Sequence, residues 1–450
     1  MSATGGTATD AAATGAPRPT GDRRRPTVLF LQGPPSPFWY ELADAFEAAG
    51  ARVVRVNLST ADWVYWRRRG AINYRGRLSK WPDFLRRLVA RENVTQILYF
   101  SDRFPWHRAA AEVAREAGVE ALSIEFGYLR PGWITLERGG MGAWSHFPRD
   151  PAAITAVAAR AGEVSTEGFK AHRRSTEVAF ELFFAFINEY YFGFFPFHRR
   201  GVGIPAALEY GAGLVHVVWR RIMRSRTRAA LAPFEAGERC FTLLPLQLQS
   251  DAQIRCNTSY RDQLVLLEAV IASFAAEAPA DRHLLIKLHP LDPGLVAWCR
   301  RVGRMARAHG VADRVLCFDG GNLNRLIAAC EGVIVSNSTV GLIALRAAKP
   351  VMVFGDAVYD IAGLVHGGDL ATFWRAPDPV DPVLVDALVR ALAATIQVSG
   401  SIYDVDGRAT AIGEIVRRVL EGRVNGLGAF VDPPPRLAAR RVSFADDTAS

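Results

Sequence analysis

The chain has 450 residues, a formal net charge of +9, 50% apolar residues and five scattered cysteines with no CxxC pair. That length exceeds one ordinary core and predicts two domains, while the cysteines (Cys240, Cys256, Cys299, Cys317, Cys330) indicate neither a disulfide framework nor a zinc site and fit a reducing cytosol. No run reaches the roughly 18 uninterrupted apolar residues that cross a bilayer, so no membrane-spanning helix is expected.

Residues 1–26 read as a disordered tail, rich in Ala, Thr and Gly, without the apolar stretch of a secretory signal. Residues 27–164 read as a first domain. Val28–Leu31 is a strand, and Gln32-Gly33-Pro34-Pro35-Ser36-Pro37 turns it into a helix. Further strands at Arg52–Val56, Gln96–Phe100 and Ala121–Ile124 alternate with helices, which predicts a parallel sheet covered on both faces. Polar residues gather at the carboxyl ends of these strands, where open α/β sheets bind ligands: Gln32, Asn57, Asp102 and Glu125. Glu125 follows a buried strand and leads into Gly127-Tyr128-Leu129-Arg130-Pro131. A carboxylate among aromatics tends to a raised pKa, as a general acid needs; an ion pair with Arg130 that pins a loop is the other reading.

Residues 165–235 break the α/β rhythm and read as helical, aromatic and basic. Phe180–Phe192 is dense in aromatics, and Arg199, Arg200, Arg220, Arg221, Arg224, Arg226 and Arg228 stand against Glu209 alone. Leu208, Ala212, Val215, Trp219 and Ile222 share one helical face. Such a face suits an anionic membrane surface, and equally a domain linker whose apolar side is core. The charge is local and no recognition motif accompanies it, so nucleic acid is not an expected partner.

Residues 236–430 read as a second domain with strands at Phe241–Leu246, Leu284–Leu288, Arg314–Cys317, Gly332–Val335 and Val351–Phe354; residues 431–450 read as a loose tail. Asp251 sits on the loop leaving the first of these strands and could serve as nucleophile or base. Lys287 and His289 end the second strand. Ser336-Asn337-Ser338-Thr339 ends the fourth and opens a helix, a place where N–H groups and hydroxyls converge on an anion or simply cap the helix. The fold class expected is therefore α/β, two doubly wound Rossmann-like domains in the manner of B-type (GT-B) glycosyltransferases, with a helical middle segment. The single match to a metal-chelating DxD, Asp404-Val405-Asp406, lies beyond the last expected strand and reads as loop, so neither metal nor cofactor is expected.

These residues resemble a family. Phe30-Leu31-Gln32-Gly33-Pro34, Tyr74-Arg75-Gly76, Gly127–Pro131 with Trp133–Glu137, Pro245-Leu246-Gln247, Lys287–Asp292 and Asn337-Ser338-Thr339-Val340-Gly341, in this order, are similar to the bacterial capsular polysaccharide biosynthesis and export proteins that act as β-Kdo transferases. The resemblance covers about Val28 to Trp374. It implies CMP-β-Kdo as donor, a (lyso)phosphatidylglycerol acceptor, retention at the anomeric carbon, and a cytoplasmic enzyme peripheral to the inner membrane that works with the capsule export machinery. It also implies roles: Asp251 as the catalytic aspartate with Glu125 its partner, Lys287, His289, Ser336, Asn337, Ser338 and Thr339 on CMP, and Gln32, Arg130 and Asp102 on the acceptor or the Kdo carboxylate. Two departures bear on the acceptor side. Ser101-Asp102-Arg103 stands where the family has a Gly-Asp pair, and Phe126 where a second acid is common.

Overall fold

The computed structural model describes residues 25–170, 175–198, 206–249, 258, 260 and 262–437. Its first sheet is built from β1 (Thr27–Phe30), β2 (Arg52–Asn57), β3 (Ile72–Asn73), β4 (Gln96–Phe100), β5 (Glu120–Phe126) and β6 (Trp133–Arg138). The first five are parallel, and β6 folds back antiparallel on β5. Alternation along β1 explains why both faces need covering. Val28 and Phe30 enter one core with Phe38, Trp39 and Phe46, while Leu29 and Leu31 enter the other with Trp81, Leu85 and Trp106.

The second sheet holds β7 (Phe241–Pro245), β8 (His283–Lys287), β9 (Val315–Phe318), β10 (Gly332–Val335) and β11 (Val351–Val353), all parallel. Phe241 and Leu243 face one core, Leu244 and Leu246 the other. Two Rossmann-like α/β domains are thus present.

The second domain does not run to residue 430 as expected. β12 (Gln397–Ser399) crosses back and pairs antiparallel with β6, Val398 opposite Ile134. The following helix Val405–Leu420 lays Ala411, Ile412, Ile415, Val416 and Val419 into the first domain's core, and Arg408 grips Glu41 with bonds of 2.7 and 2.9 Å. Its apolar stripe fits that face, which would otherwise leave Phe38 and Phe46 open. Asp404 is not in a loop but caps this helix, accepting from the Gly407 N–H at 3.0 Å. Nor is the segment after 431 loose up to residue 437, because Arg436 is buried and donates to the carbonyls of Phe147, Pro148, Ala357 and Val358. Cys299 and Cys317 are joined in a disulfide between the helix Trp298–Ala308 and β9, against the expectation of none.

The middle segment forms two helices, Ser175–Tyr190 and Ala206–Glu235. The first is tied to the first domain: Asn188 Oδ1 accepts from the Ala61 N–H at 2.9 Å, Thr60 donates to the Tyr191 carbonyl at 2.8 Å, and Tyr403 donates to Glu181 at 2.6 Å. The second buries Leu231 and Phe234 in the second domain. The face of the second carrying Leu208, Val215, Trp219 and Ile222 is 55–71% exposed, so it is not core. Phe183, Phe186, Tyr190, Phe192 and Phe194 of the first helix and its extension are exposed beside it. Arg220 departs from the basic rim and turns to Asp319 at 3.0 Å.

Candidate active site

In both sheets the strand order reverses beside the first strand. The reversal falls between β1 and β4 in one and between β7 and β10 in the other. Loops leaving the carboxyl ends of such neighbouring strands diverge and open a crevice. Gln32 and Ser101 therefore flank the first crevice, and Gln247 and Ser336-Asn337 the second.

The second crevice is rich in uncharged donors. Gln247 donates to Asn337 Oδ1 at 3.0 Å and accepts from the Asn337 N–H at 3.4 Å, and Gln263 braces Gln247 from behind. Ser336 is buried and its hydroxyl accepts from Tyr260. Ser338 accepts from the Val340 N–H at 3.2 Å and its carbonyl accepts from Tyr359. Gly341 is required beneath that tyrosine, since a Cβ would lie 2.4 Å from its hydroxyl. Part of the hydroxyl turn is thus spent on building itself. Thr339 precedes the helix Val340–Arg346 and makes no side-chain cap bond.

On the adjoining strand end, His289 Nδ1 accepts from the Leu291 N–H at 3.1 Å, which leaves the proton of the neutral ring on Nε2 as a donor. Burial, then the charges of Lys287, Arg130 and Arg220, push its pKa down to about 4, so it is neutral at physiological pH. Lys287 is buried too, and burial lowers its pKa while Asp319 opposes the shift.

On the first domain, Glu125 ends β5 partly buried. Desolvation pushes its pKa from 4.5 up to about 7, partly offset by the Phe126 N–H at 3.2 Å, by Arg130 and by the Ser101 hydroxyl. Arg130 is exposed, with its guanidinium carbon 5.2 Å from the Phe126 ring centre. Its charge lowers the pKa of Glu125 on its own domain and of His289 on the other, so it lies within electrostatic range of both. Gln32 is buried at the strand end, its carbonyl accepting from Phe100. Asp102 is turned inward, a correction to its expected place on the cleft. It is paired with Arg103 on both oxygens and accepts from the Met141 N–H at 2.7 Å, because the neighbouring arginine satisfies it inside the fold. Asp251 lies outside the described residues.

Some polar groups escape a strand-by-strand reading. Glu137 is buried between the hydroxyls of Tyr128 and Ser145, and burial pushes its pKa up to about 7. Gln263, His216 and Asp319 stand far in sequence from the groups they brace. A cavity of about 770 Å³ lies elsewhere, lined by Arg149, Asp150, Gly363 and Asp378, and touches no candidate residue. Converging donors, not volume, mark the site.

Residues 95–403 match the family described as capsule polysaccharide biosynthesis protein. The chain is 31% identical to the capsule polysaccharide export protein KpsS of Escherichia coli over 83% of this chain and 96% of that protein. It is 28% identical to the capsule polysaccharide modification protein LipB of Neisseria meningitidis serogroup B, over 84% and 91%. Among solved structures, the β-Kdo 2,7-transferase of KpsC from Thermosulfurimonas dismutans is similar at 17% identity and a TM-score of 0.39, over 86% of this chain and 98% of that one.

Proposed function

This chain belongs to the capsule polysaccharide biosynthesis protein family, and from that premise we propose that it is a retaining glycosyltransferase moving β-Kdo from CMP-β-Kdo to a (lyso)phosphatidylglycerol acceptor. The observation that supports this most is the set of donors gathered at the carboxyl end of the second sheet, where Gln247 and Asn337 bond each other beside buried Ser336 and the Lys287–His289 strand end. The donor phosphate is read as lying at Lys287 and the His289 Nε2–H, with Ser336–Thr339 and Gln247 beside it. Charge developing on the departing CMP is then met by a buried cation and neutral donors, with no metal required. Arg130 pairs with the Kdo carboxylate through its two-pronged guanidinium.

CMP is a good leaving group, so the more demanding proton transfer is removal of the acceptor hydroxyl proton. Glu125, poised near neutrality, is proposed as that base, and Asp251 as the nucleophile of a double displacement. The exposed aromatic and apolar faces of the two middle helices, with Arg221 and Arg224 nearby, are proposed to rest on the anionic inner face of the cytoplasmic membrane. There the product would pass to the export machinery.

The test is incubation of the full chain with CMP-Kdo generated in place and a fluorescent lysophosphatidylglycerol, followed by mass analysis. One or more Kdo additions are expected. Transfer from a UDP-sugar instead would make it a B-type enzyme of other specificity. Lipid binding with no transfer from any donor would favour a non-catalytic lipid-handling component, the reading to which the exposed aromatics lend weight. Trp219→Ser with Ile222→Ser should weaken binding to phosphatidylglycerol vesicles at all salt concentrations while sparing a soluble acceptor.

A further inference from the structure

The helix Ala206–Glu235 presents unlike faces. Val215 and Trp219 look outward, while His216 and Arg220, each about 100° further round the axis, reach the second domain. His216 Nε2 lies 2.7 Å and Arg220 Nε 3.0 Å from the same oxygen of Asp319, which follows β9. Arg220 Nη2 also donates at 2.6 Å to the carbonyl of Pro290, the residue after His289. At the far end of this loop Gly294 has a φ of +75° and lies so close under His216 that a Cβ would stand 2.6 Å from its ring nitrogen. Between these points the loop has little core of its own, with Leu291 66% exposed. Asp292 closes it from inside, accepting from the Gly294 N–H at 2.8 Å and the Trp298 indole at 2.9 Å.

We propose that Arg220, anchored with His216 on Asp319, is a positioning residue that holds the His289–Gly294 loop in the geometry the donor phosphate needs. The middle segment is then part of the donor site and not only a surface for lipid. This rests on reading the Lys287–His289 strand end as the phosphate site. A loop ordered before the ligand arrives spares the ligand the entropy of ordering it, and one bond from a charged donor is worth about tenfold in affinity. Arg220 also adds positive charge beside Lys287 and His289, and its field lowers the pKa of both.

The experiment compares full-length Arg220→Gln, Arg220→Lys, Asp319→Asn and the control Arg221→Gln. CMP affinity is measured by calorimetry, and amide hydrogen exchange across 288–294 is measured in the free protein. Arg220→Gln should bind CMP about tenfold more weakly, raise the donor KM with little change in kcat, and exchange faster in the loop, with melting within about 2 °C of the parent. Arg220→Lys should recover part of the affinity. Asp319→Asn added to Arg220→Gln should cost little more, because the two act as one unit. Unchanged CMP affinity and loop exchange in a folded Arg220→Gln protein would overturn the proposal, as would an equal loss in Arg221→Gln. If the parent itself fails to bind CMP, the donor reading falls. Loop exchange then decides whether Arg220 holds the loop at all, and unchanged exchange overturns that too.

Discussion

At the carboxyl edge of the second sheet, the groups around the crevice are amides, hydroxyls, a neutral imidazole and a desolvated lysine. At the same edge of the first sheet stand a carboxylate pushed up to about 7 and an exposed guanidinium. One wall can hold an anion without changing its own protonation, whereas the other can exchange a proton near neutral pH. Under the proposed function, binding and proton transfer would be divided between the domains, and closure of the cleft would be what joins them.

The largest effect should come from Asp251, expected on the loop after the first strand of the second domain and outside the described residues. Asp251→Asn should lose transfer by several orders of magnitude while keeping CMP affinity, since a covalent route has no substitute. Normal turnover would remove it from the chemistry.

Next comes Glu125→Gln, expected to lower kcat by about 10²- to 10⁴-fold with CMP affinity unchanged. As a base it must be ionised, so parent activity should fall as pH drops through about 7, and the variant should lack that limb. The stability sign is opposite. The folded-state pKa lies above the ordinary 4.5, so the folded protein gains from the bound proton below about 4.5 and loses that gain as pH rises to about 7. Glu125→Gln should therefore melt higher than the parent at pH 8, and lower melting there would place the carboxylate in a structural ion pair.

His289→Ala should weaken CMP binding about tenfold and leave the position of the Glu125 limb alone. The imidazole is neutral above about 4, so any bend in CMP affinity near pH 6 belongs to the phosphate and should persist in the variant. A bend that vanished would mean a protonated histidine at the site.

The smallest effect is expected at Ser101. Ser101 has a φ of +61°, a backbone region that favours glycine, and its hydroxyl helps hold the Glu125 pKa down. Ser101→Gly should fold at least as stably and move the activity limb to higher pH. An unmoved limb would separate Ser101 from Glu125.

That serine also marks how far the sequence can be read. The departure from a Gly-Asp pair is visible in the letters, but the left-handed turn that explains it is not. The second sheet and four strands of the first are legible because each is a short apolar run ending in polar residues, as at Leu29–Gln32 and Leu284–His289, whereas the two-residue β3 and the antiparallel β6 are not among the expected strands. Glu125 is legible for the same reason, its burial being written into its neighbours. The return of Gln397–Ser399 to the first sheet is not, since β12 pairs with residues more than 250 positions earlier and a three-residue strand carries almost no periodic signal. Asp102 misleads because its partner Arg103 is adjacent, and adjacency does not reveal whether a pair faces solvent or core. Arg220 reads as one more arginine of a basic run until Asp319 is brought beneath it.

Arg436 carries a consequence for motion. Its guanidinium is fixed to carbonyls at 147 and 148, in the segment leading out of the first sheet, and at 357 and 358 on the second domain, whose core Phe147 shares, with Arg149 and Asp360 paired at 3.0 Å alongside. Domains that swing must turn about whatever does not move, and a side chain buried where that segment is fastened to the second domain is such an axle. A chain ending before residue 436 would keep both sheets and both crevices yet lose the point that sets their angle. Small-angle scattering should then report a broader distribution of shapes for it, narrowed less by CMP than in the full chain. The turn that carries Arg436 would thus set how widely the cleft can open.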